Sequence, residues 1–296
     1  MMTGTPAAQS PLDAYGLAKL VNPTGVPRYF GSFRDQVMFK LTRFKWEVKE
    51  NATETVFNAL RPAIRFTKEE CLDLPEMVYI KRKVELTPQQ KKYYKELKTR
   101  MVMQAAGEEV TAVNAAVNMN KLLQISAGAV YTDNGQALEF DIKHRYKVLM
   151  EAIQETSSKV LVFVPFKHTI GILSRRLTSD GISNAVIQGD VPVNKRTEIF
   201  RAFQEQSDPR VLVVQPAAAS HGVTLTAANT VVWWAPTSSL ETYLQANARI
   251  HRAGQKNKCT VVQLHGAPVE QHVYRLLDDR IDVHTKVIDL YKELLD

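Results

Sequence analysis

Gln245-Ala-Asn-Ala-Arg249-Ile-His-Arg252-Ala-Gly-Gln255 is the stretch on which the reading of this 296-residue chain turns. On a continuous helix, Gln245, Arg249 and Arg252 stand at i, i+4 and i+7 and project from one face. Two guanidiniums at that spacing make a bidentate fork for a phosphate. The same pattern also suits a basic amphipathic helix whose charges are simply solvated. The flanking sequence decides between the two.

Upstream and downstream lie short, almost wholly apolar runs: Val160-Leu-Val-Phe-Val-Pro-Phe166, Val186-Ile-Gln-Gly189, Val211-Leu-Val-Val214, Thr230-Val-Val-Trp-Trp234 and Cys259-Thr-Val-Val-Gln-Leu264. Strands buried on both faces read this way. Helical patterns alternate with them, as over 168–179, where Ile170, Leu173 and Leu177 recur at i, i+3 and i+7. Strand–helix alternation predicts an α/β fold, a parallel sheet with helices on both faces.

In this order the segments resemble the motifs of Swi/Snf-type ATPases, a branch of the superfamily 2 helicases. The opening stretch is similar to that family's Gln-x-x-x-Arg-x-His-Arg-x-Gly-Gln motif. The resemblance implies a second RecA-like lobe, with Arg249 and Arg252 as catalytic arginines that reach ATP on a first lobe. Such arginines stabilise charge on the transferring phosphoryl group. It also implies that Gln245 and Gly222 help to bind the nucleotide. Val160–Phe166 resembles motif IV, and Gly189–Phe203, with Arg196 inside it, resembles the family's Gly-Arg-Phe block. Ala217-Ala-Ala-Ser220-His221-Gly222-Val-Thr-Leu225-Thr-Ala-Ala228 resembles motif V, although the family often has Gly-Gly in place of Ala219-Ser220 and Thr in place of Pro216. Arg196, Ser220 and His221 are thereby candidate nucleic-acid contacts. Gly266-Ala-Pro-Val-Glu270 resembles the segment that opens a C-terminal helix.

The beginning of the chain fits the same order. Thr3-Gly4-Thr5-Pro6 resembles motif III, with which the first lobe ends. No G-x-x-x-x-G-K-[ST], Asp-Glu-x-His or Asp-Glu-Ala-Asp occurs anywhere. The backbone cradle, phosphate lysine and Mg²⁺-binding acid of ATP hydrolysis are thus missing from this sequence. The expectation is the C-terminal half of a two-lobe motor, with residues 1–140 a mainly helical remnant of the first lobe plus an inter-lobe brace, and 141–296 the RecA-like lobe. Arg61-Pro-Ala-Ile-Arg65 through Leu74-Pro75 resembles that brace. Leu86-Thr-Pro-Gln-Gln resembles a helix start of the family, with Thr87 as N-cap and Gln90 at N3. Helices are also predicted over 112–127 and 141–155, and Asn134-Gly135 suggests a hairpin.

Charge agrees with a nucleic-acid partner. Of 38 Lys plus Arg and 31 Asp plus Glu, residues 28–100 hold 17 and 10, while the remainder holds 21 of each sign. The whole +7 excess therefore lies in the first third. Basic segments bind phosphates with release of counterions, unless they are merely a solvated surface. Lys81, Arg82 and Lys83 are candidate phosphate contacts on a predicted strand, or lysines that blunt a sheet edge. Two cysteines, Cys71 and Cys259, suggest a reducing, intracellular setting, either cytoplasmic or nucleoid and nuclear. No apolar run is long enough to cross a bilayer. No cysteine pair or histidine cluster suggests a metal site, and His251 reads as a packing or hydrogen-bonding residue. ATP with Mg²⁺ is expected only together with a first lobe, in cis or in trans, and the DNA is expected to be double-stranded or branched. The alternatives are a non-catalytic DNA-binding or interaction module and the second-lobe subunit of a split enzyme.

Overall fold

The computed structural model describes residues 7, 10–42, 46–64, 71–107, 112–132, 135–219 and 222–293. Thr3–Pro6, residues 65–70 of the expected brace, Asn134, Ser220 and His221 lie outside them. The chain divides into two compact units, one built mainly on residues 1–72 and the other on 73–238 and 242–274.

In the first unit, helices α1 (Ala14–Val21) and α2 (Phe30–Val37) precede a two-stranded antiparallel ribbon, β1 (Met38–Lys40) with β2 (Trp46–Val48), and then α3 (Ala52–Leu60). Ser10 and Asp13 form a reciprocal capping box ahead of α1. Ala14 and Ala18, one turn apart, lie in a core with Phe33, Val37, Val56 and Leu60. Arg34 covers the Trp46 ring at 3.9 Å, where its apolar stem and its charge both find a partner.

The second unit begins with β3 (Met77–Lys83), α4 (Pro88–Gly107), α5 (Ala112–Ala127) and the hairpin β4 (Ala129–Tyr131) and β5 (Ala137–Glu139). The chain continues as α6 (Lys143–Gln154), β6 (Lys159–Phe163), α7 (Lys167–Ser179), β7 (Asn184–Ile187), α8 (Val193–Glu205), β8 (Val211–Val214), β9 (Ala228–Trp233), α9 (Leu240–Asn247), β10 (Cys259–His265) and α10 (Pro268–Glu293), of which residues 240–241 and those from Arg275 on are assigned to the first unit. Six strands form one sheet in the order β3-β10-β9-β6-β8-β7, and every neighbouring pair is parallel. This is the RecA-like α/β architecture that the sequence predicts.

Alternation along the central strands sorts side chains to two faces. Val160, Val162, Val211, Val213, Val232 and Val262 pack in one cluster with Leu149 and Ile153 of α6 and Ile170, Leu173 and Leu177 of α7. The alternate residues bury an aromatic stack, Phe163 on Trp233 at 4.8 Å and Trp233 on Tyr243 of α9 at 4.9 Å. Both faces are therefore covered, which is why the runs are apolar without a break. β3, from the segment expected to precede the lobe, pairs along its length with β10, from Met77↔Cys259 to Lys83↔His265. At this sheet edge Lys81 and Lys83 are exposed. The helix start reads as expected: Gln90 Oε1 accepts from Thr87 N at 3.0 Å, and Gln90 Nε2 donates to Ile125 O at 2.8 Å. Among the described residues no helix is long and apolar enough to cross a membrane.

A buried ion pair closes the C-terminal ends of β9 and β10. Arg145 Nη2 donates to both Glu270 oxygens at 2.8 Å, and its Nη1 donates to Trp234 O. Glu270 Oε2 also accepts from Gly266 N at 2.6 Å and Ala267 N at 2.9 Å. A Cβ on Gly266 would stand 2.3 Å from Arg145 Nη2, so glycine is the residue that lets backbone and guanidinium meet. Removing one partner strands a buried charge. Glu270→Ala is expected to lower unfolding stability by about 3–5 kcal/mol in a urea titration, and Gly266→Ala to be destabilising as well.

Candidate functional site

The arginines do not share one helical face. α9 ends at Asn247, and Arg249 and Arg252 lie on the irregular turn that follows. The cause is one tertiary bond and two local ones. Arg249 N folds back to Ala246 O at 3.1 Å, Arg249 O accepts from Leu225 N at 2.9 Å, and Ile250 O accepts from Gln255 Nε2 at 3.0 Å. Carbonyls that a longer helix would use are taken by other partners. The bend nevertheless draws the two arginines together. Arg252 Nε donates to Ala248 O at 3.1 Å, and its Nη1 lies 3.3 Å from Gly222 O and 3.4 Å from Thr224 Oγ1.

Arg249 is 3% exposed, and its Nε has no hydrogen-bond partner. Burial first, and then the charge of Arg252, push its guanidinium below the usual arginine pKa. A buried cation beside a like charge is costly unless an anion answers it. Gln245 is half-buried on α9, one turn before Arg249. Cys259 lies beneath the turn, with its thiol toward Ile250 O and pushed up to about 11 by burial.

The other predicted contacts stand elsewhere. The arginine turn packs at the N-terminal end of β9, where Gln255 Nε2 meets Ala228 O at 2.9 Å. The Gly189–Arg196 segment lies at the opposite, C-terminal edge of the sheet, beyond β7. There Arg196 donates from Nε to Val191 O and from Nη2 to Gly189 O, both at 2.7 Å, and closes the loop. Gln215 Oε1 accepts from Gly189 N at 3.1 Å, which joins this loop to the one after β8. On β3, Arg82 pairs with Glu155. Thr224, within reach of Arg252, and the Arg145–Glu270 pair were not singled out from sequence. Thr224 lies inside the motif V stretch, and Glu270 is the acid of the Gly266–Glu270 segment.

Thiol titration checks the burial beneath the turn. At pH 8 about one Cys259 in a thousand is thiolate. Cys71 is exposed. One thiol, Cys71, is expected to react rapidly with an aromatic disulfide reagent, and the second only after unfolding.

Comparison with known proteins agrees with the fold. Residues 144–254 match the family model of the helicase conserved C-terminal domain. An uncharacterized ATP-dependent helicase of Mycoplasma genitalium is 26% identical over 275 residues, covering 89% of this chain and 25% of the relative. The chain thus spans about a quarter of that relative's length. The C-terminal part of the Fun30 ATPase domain superposes with a TM-score of 0.57 at 18% identity, over 75% of this chain and 99% of that one. The Sulfolobus solfataricus SWI2/SNF2 ATPase core in complex with dsDNA gives a TM-score of 0.57 at 19% identity, over 97% of this chain and 61% of that one.

Proposed function

We propose that this chain, whose residues 144–254 match the helicase conserved C-terminal domain, is the second lobe of a Swi/Snf-type DNA-dependent ATPase and completes an ATP site on a first RecA-like lobe. That lobe is joined in cis or supplied in trans. Arg249 and Arg252 neutralise charge that develops on the transferring phosphoryl group. Gln245, a turn before them, links the nucleotide to the lobe surface, and Gly222 lets backbone approach it. The residues present suit the phosphates of ATP. The Mg²⁺ and the phosphate cradle fall to the first lobe, since this sequence has no G-x-x-x-x-G-K-[ST].

The observation that carries this reading is the buried Nε of Arg249, unpartnered and beside a second guanidinium. A structural arginine at this depth would have its nitrogens bonded within the fold. Arg145, equally buried, is the contrast, with its guanidinium bonded to Glu270 and Trp234.

Double-stranded or branched DNA is the partner for the opposite edge. In this reading the loops after β7 and β8, the first closed by Arg196, meet the backbone, Ser220 and His221 are further candidate contacts, and Lys81, Arg82 and Lys83 on β3, the strand at the other end of the sheet, are a separate basic stretch. Such binding is salt-dependent. Affinity for a duplex is expected to fall by orders of magnitude between about 50 and 200 mM salt, and a flat titration argues against the assignment.

DNA-stimulated ATP hydrolysis tests the motor role. The chain alone is expected to be silent and to become active when a first-lobe polypeptide is added. Arg249→Ala or Arg252→Ala is expected to lower kcat about a thousandfold or more. Hydrolysis by the highly purified chain alone, unchanged by Arg252→Ala, contradicts the assignment.

A further inference from the structure

We propose that His251 and Gln255 are positioning residues for the Arg249–Arg252 fork, a role that rests on the phosphate-binding reading above. Neither is assigned contact with the nucleotide. Each fixes the backbone from which the arginines extend.

Gln255 is 6% exposed, and its side chain works in both directions. Its Oε1 accepts from Lys256 N at 3.0 Å and Asn257 N at 2.9 Å. Its Nε2 lies 2.9 Å from Ala228 O, 3.0 Å from Ile250 O and 3.3 Å from Thr226 O. One amide thus ties the residue after Arg249 to the start of β9 and to the entry of β10. Gln255 N also bonds to Arg252 O at 3.0 Å, so the clasp includes the second arginine.

His251 stands between the two arginines, and its Nε2 lies 2.8 Å from Pro75 O. A carbonyl only accepts, so the imidazole is held with Nε2 protonated. Pro75 is itself anchored. Its neighbour Glu76 accepts from Cys259 N at 2.9 Å through its carbonyl and pairs with Lys258 Nζ at 2.8 Å through its carboxylate. β3 then continues in register from Met77↔Cys259. The turn is therefore gripped from two sides, by β9 through Gln255 and by the approach to β3 through His251. A buried guanidinium whose Nε is unpartnered needs such a grip, because no bond at that nitrogen holds it in place.

The test reads the guanidinium directly. The full chain, labelled with ¹⁵N, is titrated with inorganic pyrophosphate, and the Arg249 Nε–Hε resonance is followed after assignment by its loss in Arg249→Lys. In the unaltered chain this resonance is expected to move. In His251→Phe, which cannot donate, and in Gln255→Glu, which cannot donate to the three carbonyls, the same movement should need about tenfold more pyrophosphate. His251→Gln, whose amide can donate to Pro75 O, should restore the original response. Variants that fold, as judged by their amide spectra, and titrate like the unaltered chain overturn the positioning role while leaving the phosphate fork intact. A resonance that does not move in the unaltered chain overturns the fork itself, and the positioning role with it. If Gln255→Glu does not fold, the three His251 forms decide the matter alone.

Discussion

Arg249 is a cation held under cover with its Nε unanswered and a second cation beside it. That arrangement opposes folding, because charge removed from water loses its hydration and gains nothing unless a counter-charge is present. The surrounding structure bears the cost. A six-stranded parallel sheet, buried on both faces, supplies the stability from which a poorly satisfied group can be maintained. The bonds from Leu225, Gln255 and His251 then fix the turn without neutralising its charge. Uncompensated buried groups concentrate at functional sites for this reason.

Parallel strands give the lobe two chemically different edges. At the N-terminal end of β9 the turn gathers guanidiniums. At the C-terminal ends of β7 and β8 the loops are tied to one another through Gln215 and closed by Arg196. The Arg145–Glu270 pair pins α6 and the start of α10 at that same edge. Under the proposed function, a rigid sheet between the edges is what would let nucleotide on one side be read as force on the other.

The sheet was legible because Val160–Phe163, Val211–Val214 and Val261–Val262 leave no polar face, and only strands covered on both sides tolerate that. Thr87 and Gln90 were legible because a capping box is local. The arginine geometry was not. Helical periodicity treats Gln245, Arg249 and Arg252 as one stripe, whereas carbonyl bonds from Leu225 and Gln255, distant or irregular in sequence, end the helix at Asn247. β3 was visible as a strand but not as a member of this sheet. Its exposed Lys81 and Lys83 mark an edge, and its partner β10 lies about 180 residues away. Arg145 offered no signal, since its role depends on Glu270 and on the missing Cβ of Gly266.

The central claim is that Arg249 is kept for a ligand and against stability. Urea unfolding of Arg249→Met measures this directly, because methionine keeps much of the apolar stem and removes the charge. The account predicts a stability unchanged or raised, by up to about 1–4 kcal/mol, as when buried charges give way to apolar residues. A loss of more than about 2 kcal/mol would mean that the guanidinium is bonded within the fold and serves the structure, which contradicts the account.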